Sequence, residues 1–263
     1  MFPKGSVLSY QQGLTKGTII NDDSHTTFPD FPLKNSIGPS SIPTDHSDSQ
    51  TVNLEALSVT IDQSIEIEKS TRTQSSLPKW RKVRQSRLTA SVAGAIIKKK
   101  RGFDNYATFL KTGKKIMTAP MRHGRACEPT AAQTYADDTS VNMFRCGVVI
   151  SPICPWLGAS PDRKIYNPSR NPPYGLLEIK CPTIPKSRLE YLHVSDGEFQ
   201  HKTNHNVYYQ IQMQTAVTGL TWCDLFVWHE DYHHLETLYF NQHDWDTKSK
   251  TKLDDFFFKY FLN

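Results

Sequence analysis

The stretch SPDRKIYNPSRNPPYGLLEIK, residues 160–180, decides how this chain folds. Its second half alternates like a β-strand, which puts Glu178 and Lys180 on one face and turns Ile179 toward a core. Residues 167–173 are rich in Pro and Asn, so they predict a loop that lets the chain double back. A hairpin of this kind brings Asp162 beside Glu178 and Lys180.

The chemistry of this trio indicates a metal site. Two carboxylates on one face suit a hard divalent cation, and a lysine beside such a cation can position a water or counter developing negative charge. The alternative is an exposed strand face with salt bridges, for which the bare pattern is also typical. Apolar or small residues flank the pattern, at 156–159 and at Cys181-Pro182, and a solvated face would not need them. The flanks therefore favour the metal site.

Four blocks in a fixed order extend the pattern: WRKVRQSRLTAS at 80–91, HGRACE at 123–128, SPD with EIKCP at 160–162 and 178–182, and YQIQMQ at 209–214. Together they resemble the PD-(D/E)xK nucleases and, within them, the lambda-exonuclease-like, YqaJ-type recombination exonucleases. The resemblance runs from Trp80 to the end of the chain. One residue departs from it, because Arg163 stands where the family often has Gly after the motif Asp.

The resemblance implies an α/β fold with a PD-(D/E)xK, restriction-endonuclease-like core, in which a central mixed β-sheet is flanked by helices. We assign residues 76–263 to a YqaJ-like exonuclease domain. Residues 1–75 are polar and rich in Pro and Ser, so we expect them to be disordered or weakly structured, apart from a short helix that begins at Ile61.

The activity that the resemblance implies is metal-dependent hydrolysis of DNA from the 5′ end of linear duplex, with a role in recombination or DNA processing. The direction of digestion comes from the resemblance alone. Two alternatives remain open at this point: a catalytically inactive nucleic-acid-binding domain derived from a recombinase, and an endonuclease of the same fold.

Roles in metal binding follow from the same resemblance. Asp162, Glu178 and the backbone carbonyl of Ile179 are expected to hold the metal, and Glu128 to contribute directly or through water. Mg²⁺ suits such oxygen ligands, with Mn²⁺ as the alternative ion.

Further roles concern the substrate. Lys180 is expected to orient the attacking water, and Gln210 to bind near the scissile phosphate or to brace a metal ligand. Arg84 and Ser91 are expected to contact a terminal 5′ phosphate, and Arg87 is also assigned to substrate binding. The alternative for Arg84 is membership of a general basic face.

Charge supports a polyanionic partner. The chain carries a net charge of +5, yet residues 1–75 hold nine acidic and five basic residues, so the excess lies in residues 76–263. The run 79–101 has nine basic residues and no acidic one. This charge predicts a polyanionic partner. The resemblance implies that the partner is duplex DNA ends, and it adds a single-strand annealing protein and a homotrimer as further expectations. The segment KKKR at 98–101 is also typical of nuclear targeting.

Cysteine usage indicates a reducing compartment. The five cysteines form no CxxC pair, and no secretory signal precedes them, so we expect free thiols in an intracellular protein, nuclear if the source is eukaryotic. A catalytic role for Cys181 beside Lys180 is weighed against a small buried residue, and the latter is favoured. No apolar run is long enough to cross a membrane.

The stretch HEDYH at residues 229–233 matches the HExxH signature of zinc proteases. That chemistry requires both histidines on one face of a helix. The flanks, 225–228 and 235–240, are rich in aromatic and β-branched residues and predict strands. We therefore expect a hairpin turn at this place and no zinc site.

Periodicity and turn residues predict further elements around the site. Strands are expected over residues 147–150 and Arg163–Tyr166. A helical segment is expected over residues 122–137, with its regular part beginning near Glu128 so that Pro129 lies in a first turn. The TAS segment is expected to cap a helix through Ile97, and two further helices are expected at Asn206–Thr218 and at 245–261, the latter with an aromatic stripe in the core.

Overall fold

The hairpin that residues 160–180 predict is present in the computed structural model, which describes residues 19–20, 28–33, 47–113 and 117–262. Strand β6 (Arg163–Tyr166) pairs antiparallel with β7 (Tyr174–Lys180), and Arg163 lies opposite Leu177. The loop between them is closed by a hydrogen bond of 2.8 Å that the Asn167 N–H donates to the Pro173 carbonyl. The polar loop thus positions both halves of the motif.

The hairpin belongs to a six-stranded sheet in the described part of the chain. Strand β7 pairs parallel with β10 (Trp222–His229), and β10 pairs antiparallel with β11 (Tyr232–Tyr239). Strand β1 (Ile19–Ile20) pairs parallel with β3 (Asn142–Arg145). The sheet is therefore mixed, as expected for the fold class. Its strand order is β1 (Ile19–Ile20), β3 (Asn142–Arg145), β6, β7, β10 (Trp222–His229) and β11 (Tyr232–Tyr239).

Two smaller sheets and a set of helices complete the fold. The smaller sheets comprise β2 (Leu88–Thr89), β5 (Leu157–Ala159) and β4 (Val149–Ile150) in that order, and the hairpin of β8 (Leu192–Ser195) with β9 (Glu198–His201). Short 3₁₀ turns lie at Gln74–Ser76 and Pro185–Glu190. The helices before the C-terminal run are Asp48–Glu55, Ile61–Ser70, Pro78–Gln85, Ala90–Ile97, Phe103–Thr112, Ala119–Thr139 and Asn206–Thr218.

The central sheet is covered on both faces. Leu177 packs in one hydrophobic cluster with helix Ala119–Thr139, and its neighbour Leu176 packs in the other cluster with helix Asn206–Thr218, as the alternation of a strand requires. Helix Asn206–Thr218 approaches helix Ala90–Ile97 closely at Gly94, where a Cβ atom would lie 2.5 Å from the Asn206 Cα. Only glycine permits this approach, which holds the helix of the QIQMQ block in place.

Helix Ala119–Thr139 differs from the expectation that regular helix begins near Glu128, with Pro129 in its first turn. It begins nine residues earlier in the chain, at Ala119, and Pro129 lies inside it. Proline removes one helical hydrogen bond, but the buried face of the helix, Ala131 to Ala136, packs on the sheet and outweighs that loss. None of the helices in the described ranges is both long and apolar enough to cross a membrane.

Structure begins earlier in the chain than expected. Helix Ile61–Ser70 is present as predicted, but it also carries Glu68, which is 1% exposed. Glu68 pairs with Arg72 at 2.9 Å and with Lys164 of β6 at 3.3 Å. This buried group lies inside the segment 1–75 for which we expect weak structure, and residues 1–18, 21–27 and 34–46 of that segment lie outside the described residues. Charged residues in a polar segment predict exposed side chains. Only the folded structure shows that the charges of Glu68, Arg72 and Lys164 compensate one another.

The buried carboxylate also explains a shorter strand than predicted. We expected a strand over residues 147–150, and the structure has β4 at Val149–Ile150. The Gly147 N–H donates to Glu68 Oε1 at 3.1 Å and the Val148 N–H donates to the Thr71 hydroxyl at 2.8 Å, so neither joins a sheet. Burial raises the pKa of Glu68, but Lys164 and Arg72 outweigh that effect and hold the pKa below its usual value.

The C-terminal run is helical from Gln242 to Phe261, in agreement with the predicted closing helix, but it alternates between α and π geometry. The α-helical pieces are Gln242–Asp244 and Thr251–Phe256, and the π-helical pieces are Trp245–Lys250 and Phe257–Phe261. Its aromatic stripe is buried, as expected for core residues: Trp245, Phe256, Phe257, Phe258 and Phe261.

Replacing Glu68 by Ala should lower the free energy of unfolding by about 3–5 kcal/mol, because it leaves the buried Lys164 and Arg72 without their counter-charge. Urea unfolding followed by circular dichroism measures the change. Glu66→Ala, on the exposed side of the same helix, is the matched control and should shift stability by well under this amount. Equal effects of the two variants would contradict a structural role for the ion pairs of Glu68.

Candidate active site

Asp162 lies immediately before β6 and is tied to the neighbouring strand. Its Oδ2 atom accepts a hydrogen bond from the Ile179 N–H at 2.7 Å, so the Asp is locked beside the Glu178-Ile179-Lys180 segment. Burial, and then the negative charges of Glu178 and Glu128, raise the pKa of Asp162 well above its usual value. The carboxyl group of Asp162 therefore lies among negative charges that the nearby positive charges do not balance.

Glu178 projects from β7 and is 2% exposed. Its two oxygens accept hydrogen bonds from helix Asn206–Thr218: Gln210 Nε2 donates to Oε1 at 2.6 Å, and Gln214 Nε2 donates to Oε2 at 2.7 Å. The Lys180 ammonium also pairs with Glu178 Oε1. The two glutamines are one turn apart, so a single helix face fixes the carboxylate.

Lys180 is a permanently charged member of this group. Burial lowers the pKa of Lys180, but the charges of Glu178 and Asp162 outweigh burial, and the net effect raises the pKa above its usual value. The ammonium lies 3.5 Å from Gln210 Oε1 as well. Lys180 can therefore supply a fixed positive charge to a bound anion, but it cannot serve as a proton acceptor near neutral pH.

Glu128 reaches the group from helix Ala119–Thr139 and is bound by Arg163. Arg163 Nη1 lies 2.8 Å from Glu128 Oε1 and donates to the Asp162 carbonyl at 2.6 Å. The residue that departs from the family pattern thus contacts two neighbouring positions of the site. The sequence shows that position 163 is charged, but it does not show that Glu128 pairs with it.

These donors fit a hard divalent ion, because they are carboxylate and carbonyl oxygens. In the described part of the chain, the carboxylate oxygens of Asp162, Glu178 and Glu128 do not all lie within 4.8 Å of one another. The ligand atoms of His229, Glu230 and Asp231 do. In the site, Glu178 faces Lys180 and Glu128 faces Arg163.

A second polar group adjoins the first through Ser160, two residues before Asp162. Arg84 Nη1 donates to the Ser160 hydroxyl at 3.0 Å, and Arg84 Nη2 donates to the Ser91 hydroxyl at 3.2 Å. The guanidinium stacks on Trp80, 4.1 Å from the ring centroid, as the four-residue spacing in helix Pro78–Gln85 allows. Burial lowers the pKa of Arg84 to about 10, which still leaves it charged at neutral pH.

Thr89 shows how this second group forms. The sequence predicts that Thr89 caps helix Ala90–Ile97, and Thr89 does occupy the N-cap position, but its side chain makes no capping bond. Its hydroxyl lies 3.1 Å from the Ser91 hydroxyl and within 3.5 Å of Arg84. The hydroxyls of the TAS segment therefore face the guanidinium.

Arg87 does not join either group. Its guanidinium donates to three backbone carbonyls, those of Pro155 at 2.8 Å, Val83 at 3.0 Å and Leu57 at 2.9 Å. These bonds tie the end of helix Pro78–Gln85 to two other segments. The contacts favour a structural role for Arg87 over the role in substrate binding expected from the sequence.

Sequence reasoning did not identify Gln214, Ser160 or the partner of Arg163 as parts of the site. Gln214 carried a usable signal, because it follows Gln210 by four residues and therefore shares its helix face. Ser160 carried a weaker one, its place beside the motif Asp. The Arg163–Glu128 pair joins positions 35 residues apart, and no local pattern predicts it.

The HExxH match falls in a hairpin turn, as the flanking strands predicted. His229 ends β10 and His233 lies in β11, opposite Trp228. The His229 Nδ1 atom accepts from the Asp231 N–H at 3.2 Å, and His233 Nε2 lies 3.1 Å from Asp138. The two histidines are therefore not held at helical spacing.

The mixed sheet, its flanking helices and the Asp-Glu-Lys hairpin define the PD-(D/E)xK nuclease fold. The chain belongs to the YqaJ-like viral recombinase domain family, whose model matches residues 79–221. This match includes all four blocks on which the sequence resemblance rests.

Solved structures show the same fold. An alkaline exonuclease, LHK-Exo, from Laribacter hongkongensis is 25% identical over 70% of this chain and 92% of that chain, with a TM-score of 0.57. Its complex with dAMP is 24% identical with the same coverage and a TM-score of 0.58. The protein of a SOX–DNA complex is 12% identical over 75% of this chain and 70% of that one, with a TM-score of 0.52. No curated protein sequence matches the chain significantly.

Replacing His229 and His233 together by Ala should leave the zinc content of the purified protein unchanged, because the hairpin does not present the pair to one ion. Plasma mass spectrometry gives the zinc content. The exposed pair His193 and His243, replaced in the same way, is the matched control. Stoichiometric zinc that disappears only from the His229/His233 variant would restore the zinc-site hypothesis.

Proposed function

We propose that this protein is a metal-dependent deoxyribonuclease that hydrolyses linear duplex DNA from the 5′ end. The observation that carries the proposal is the hairpin that sets Asp162 beside Glu178 and Lys180, in a chain that belongs to the YqaJ-like family. The similarity to an alkaline exonuclease, solved also with dAMP, supports a nuclease acting on DNA ends.

Mg²⁺ is the proposed cofactor, with Mn²⁺ as the alternative, and Asp162, Glu178 and the Ile179 carbonyl would hold it. Glu128, which is paired with Arg163, would contribute through a bound water. Such an ion supplies an activated water and neutralises charge on the phosphate oxygens. The Ile179 N–H holds Asp162 in orientation, and Gln210 and Gln214 do the same for Glu178. These bonds preorganise the two ligands, which lowers the cost of binding the ion.

Lys180 contributes its charge. Its raised pKa keeps the ammonium protonated, so it can donate to the attacking water or to a phosphate oxygen as negative charge develops. Gln210 contacts both Glu178 and Lys180 and can brace the pair while the substrate binds.

The second polar group supports recognition of a 5′ phosphate. Arg84 offers a planar fork of donors, and the hydroxyls of Ser160 and Ser91 lie at its two Nη atoms. Ser160 connects this group to Asp162 through Pro161 alone, so a terminal phosphate bound at Arg84 would lie close to the hydrolytic residues. A terminal phosphate carries more charge than an internal one, and a buried arginine can distinguish the two.

One observation favours a second candidate, the catalytically inactive DNA-binding domain. Glu128 is already neutralised by Arg163, which reduces the negative charge available to a metal. The endonuclease alternative draws no comparable support. A single-strand annealing partner, a homotrimer, an intracellular location and nuclear targeting stay predictions from the sequence.

Asp162→Asn and Glu178→Gln should each reduce Mg²⁺-dependent release of nucleotides from linear duplex DNA to background, because each removes a charged ligand. DNA binding, measured by fluorescence anisotropy without metal, should be retained. The exposed Asp104→Asn is the control and should keep full activity. Wild-type protein that binds duplex DNA yet releases no nucleotide with Mg²⁺ or Mn²⁺ would favour the inactive domain instead.

Arg84→Ala should slow digestion of 5′-phosphorylated duplex by about ten- to a hundredfold, since it removes charge-assisted hydrogen bonds to the terminal phosphate. Digestion of 5′-hydroxyl duplex should change far less. The rates come from end-labelled substrates, with Arg81→Ala on the exposed side of the same helix as the control for lost charge. Equal slowing of both substrates would make Arg84 part of a general basic face.

A further inference from the structure

Arg163 extends into the carboxylate group and not into solvent. Its side chain is 17% exposed, and Nη1 contacts both Glu128 Oε1 at 2.8 Å and the Asp162 carbonyl at 2.6 Å. Its Nε atom is buried and makes no hydrogen bond within the described part of the chain. Two oxygen contacts on one nitrogen hold the guanidinium in a defined place between the motif Asp and the helix Glu.

The charges of the group are then unevenly compensated. Three carboxylates meet two cations: Lys180 pairs with Glu178, and Arg163 pairs with Glu128. Asp162 has a backbone N–H as its hydrogen-bond donor and no ion pair in the described structure within 4.0 Å. A positive partner is therefore lacking at Asp162, whereas Glu178 and Glu128 each have one.

We propose that Arg163 takes the place of a second divalent ion beside Glu128, so that the site binds a single divalent ion, held by Asp162 and Glu178. The inference deepens the proposed function and rests on it. An arginine cannot leave with the product as a metal ion can, so one positive charge of the site is built into the chain.

Like charge explains why one ion should exclude the other. A divalent ion liganded directly by Glu128 would lie within a few ångströms of the guanidinium, a separation well below the distance over which salt screens charges. Removing the guanidinium frees Glu128 and removes that repulsion. A variant without Arg163 should therefore gain the ability to bind a second ion.

The test is a Mn²⁺ titration of the full chain, followed by electron paramagnetic resonance. Wild-type protein should bind one Mn²⁺ with the spectrum of an isolated ion. Arg163→Ala and Arg163→Gln should bind two, about 4 Å apart, with a spin-coupled spectrum. Arg163→Lys keeps the charge and should bind one. Arg125→Ala, an exposed site one turn before Glu128, loses the same charge and should also bind one.

The outcomes separate this inference from the proposed function. Wild-type protein that binds two coupled Mn²⁺ ions and cleaves DNA would overturn the inference alone. The inference alone would also be overturned if Arg163→Ala and Arg163→Gln each bind one ion while their melting temperatures show that they are folded. Wild-type protein that neither binds Mn²⁺ nor cleaves DNA would overturn the proposed function, and the inference with it.

Discussion

The hydrogen bond from the Ile179 N–H to the Asp162 carboxylate is the contact on which the site depends. It fixes an acidic side chain just before β6 against the backbone of β7, and it forms only because the loop 167–173 returns the chain in the correct register. The same bond sets the carboxyl of Asp162 among the charges of Glu178 and Glu128, which raise its pKa. A folded hairpin therefore creates the local excess of negative charge that a cation relieves.

Two helices elsewhere in the fold position the side chains that project from this hairpin. Helix Asn206–Thr218 supplies Gln210 and Gln214 to Glu178, and its position depends on close contact with helix Ala90–Ile97 at Gly94. Helix Ala90–Ile97 in turn follows the TAS segment, whose hydroxyls face Arg84. One packing contact between two helices thus couples the proposed metal ligands to the group proposed to bind the 5′ phosphate.

Local patterns predicted the elements that carry this site. The strand at Arg163–Tyr166 and the helix at Asn206–Thr218 have the predicted bounds, and the HExxH match lies in a hairpin as its flanks indicated. These segments have one clear periodicity each, and their turn residues agree with it. The common strand face of Glu178 and Lys180 followed from alternation, and the nearness of Asp162 followed from the predicted turn.

What could not be predicted depends on contacts between distant segments. Glu68 resembles a solvent-exposed residue of a polar segment until Lys164 and Arg72 are placed around it. Pro129 predicts a helix start, and only the packing of the following turns on the sheet shows why the helix continues through it. The pairing of Arg163 with Glu128 likewise requires the tertiary structure, because its members lie on different elements.

A crystal structure of the wild-type protein soaked with Mn²⁺ tests the central claim most directly, because the anomalous signal locates the ion without reference to the residues proposed. The account predicts an anomalous peak in contact with Asp162 and Glu178, with Arg163 still beside Glu128. A peak at the turn of His229, Glu230 and Asp231 instead, with none between Asp162 and Glu178, would contradict it.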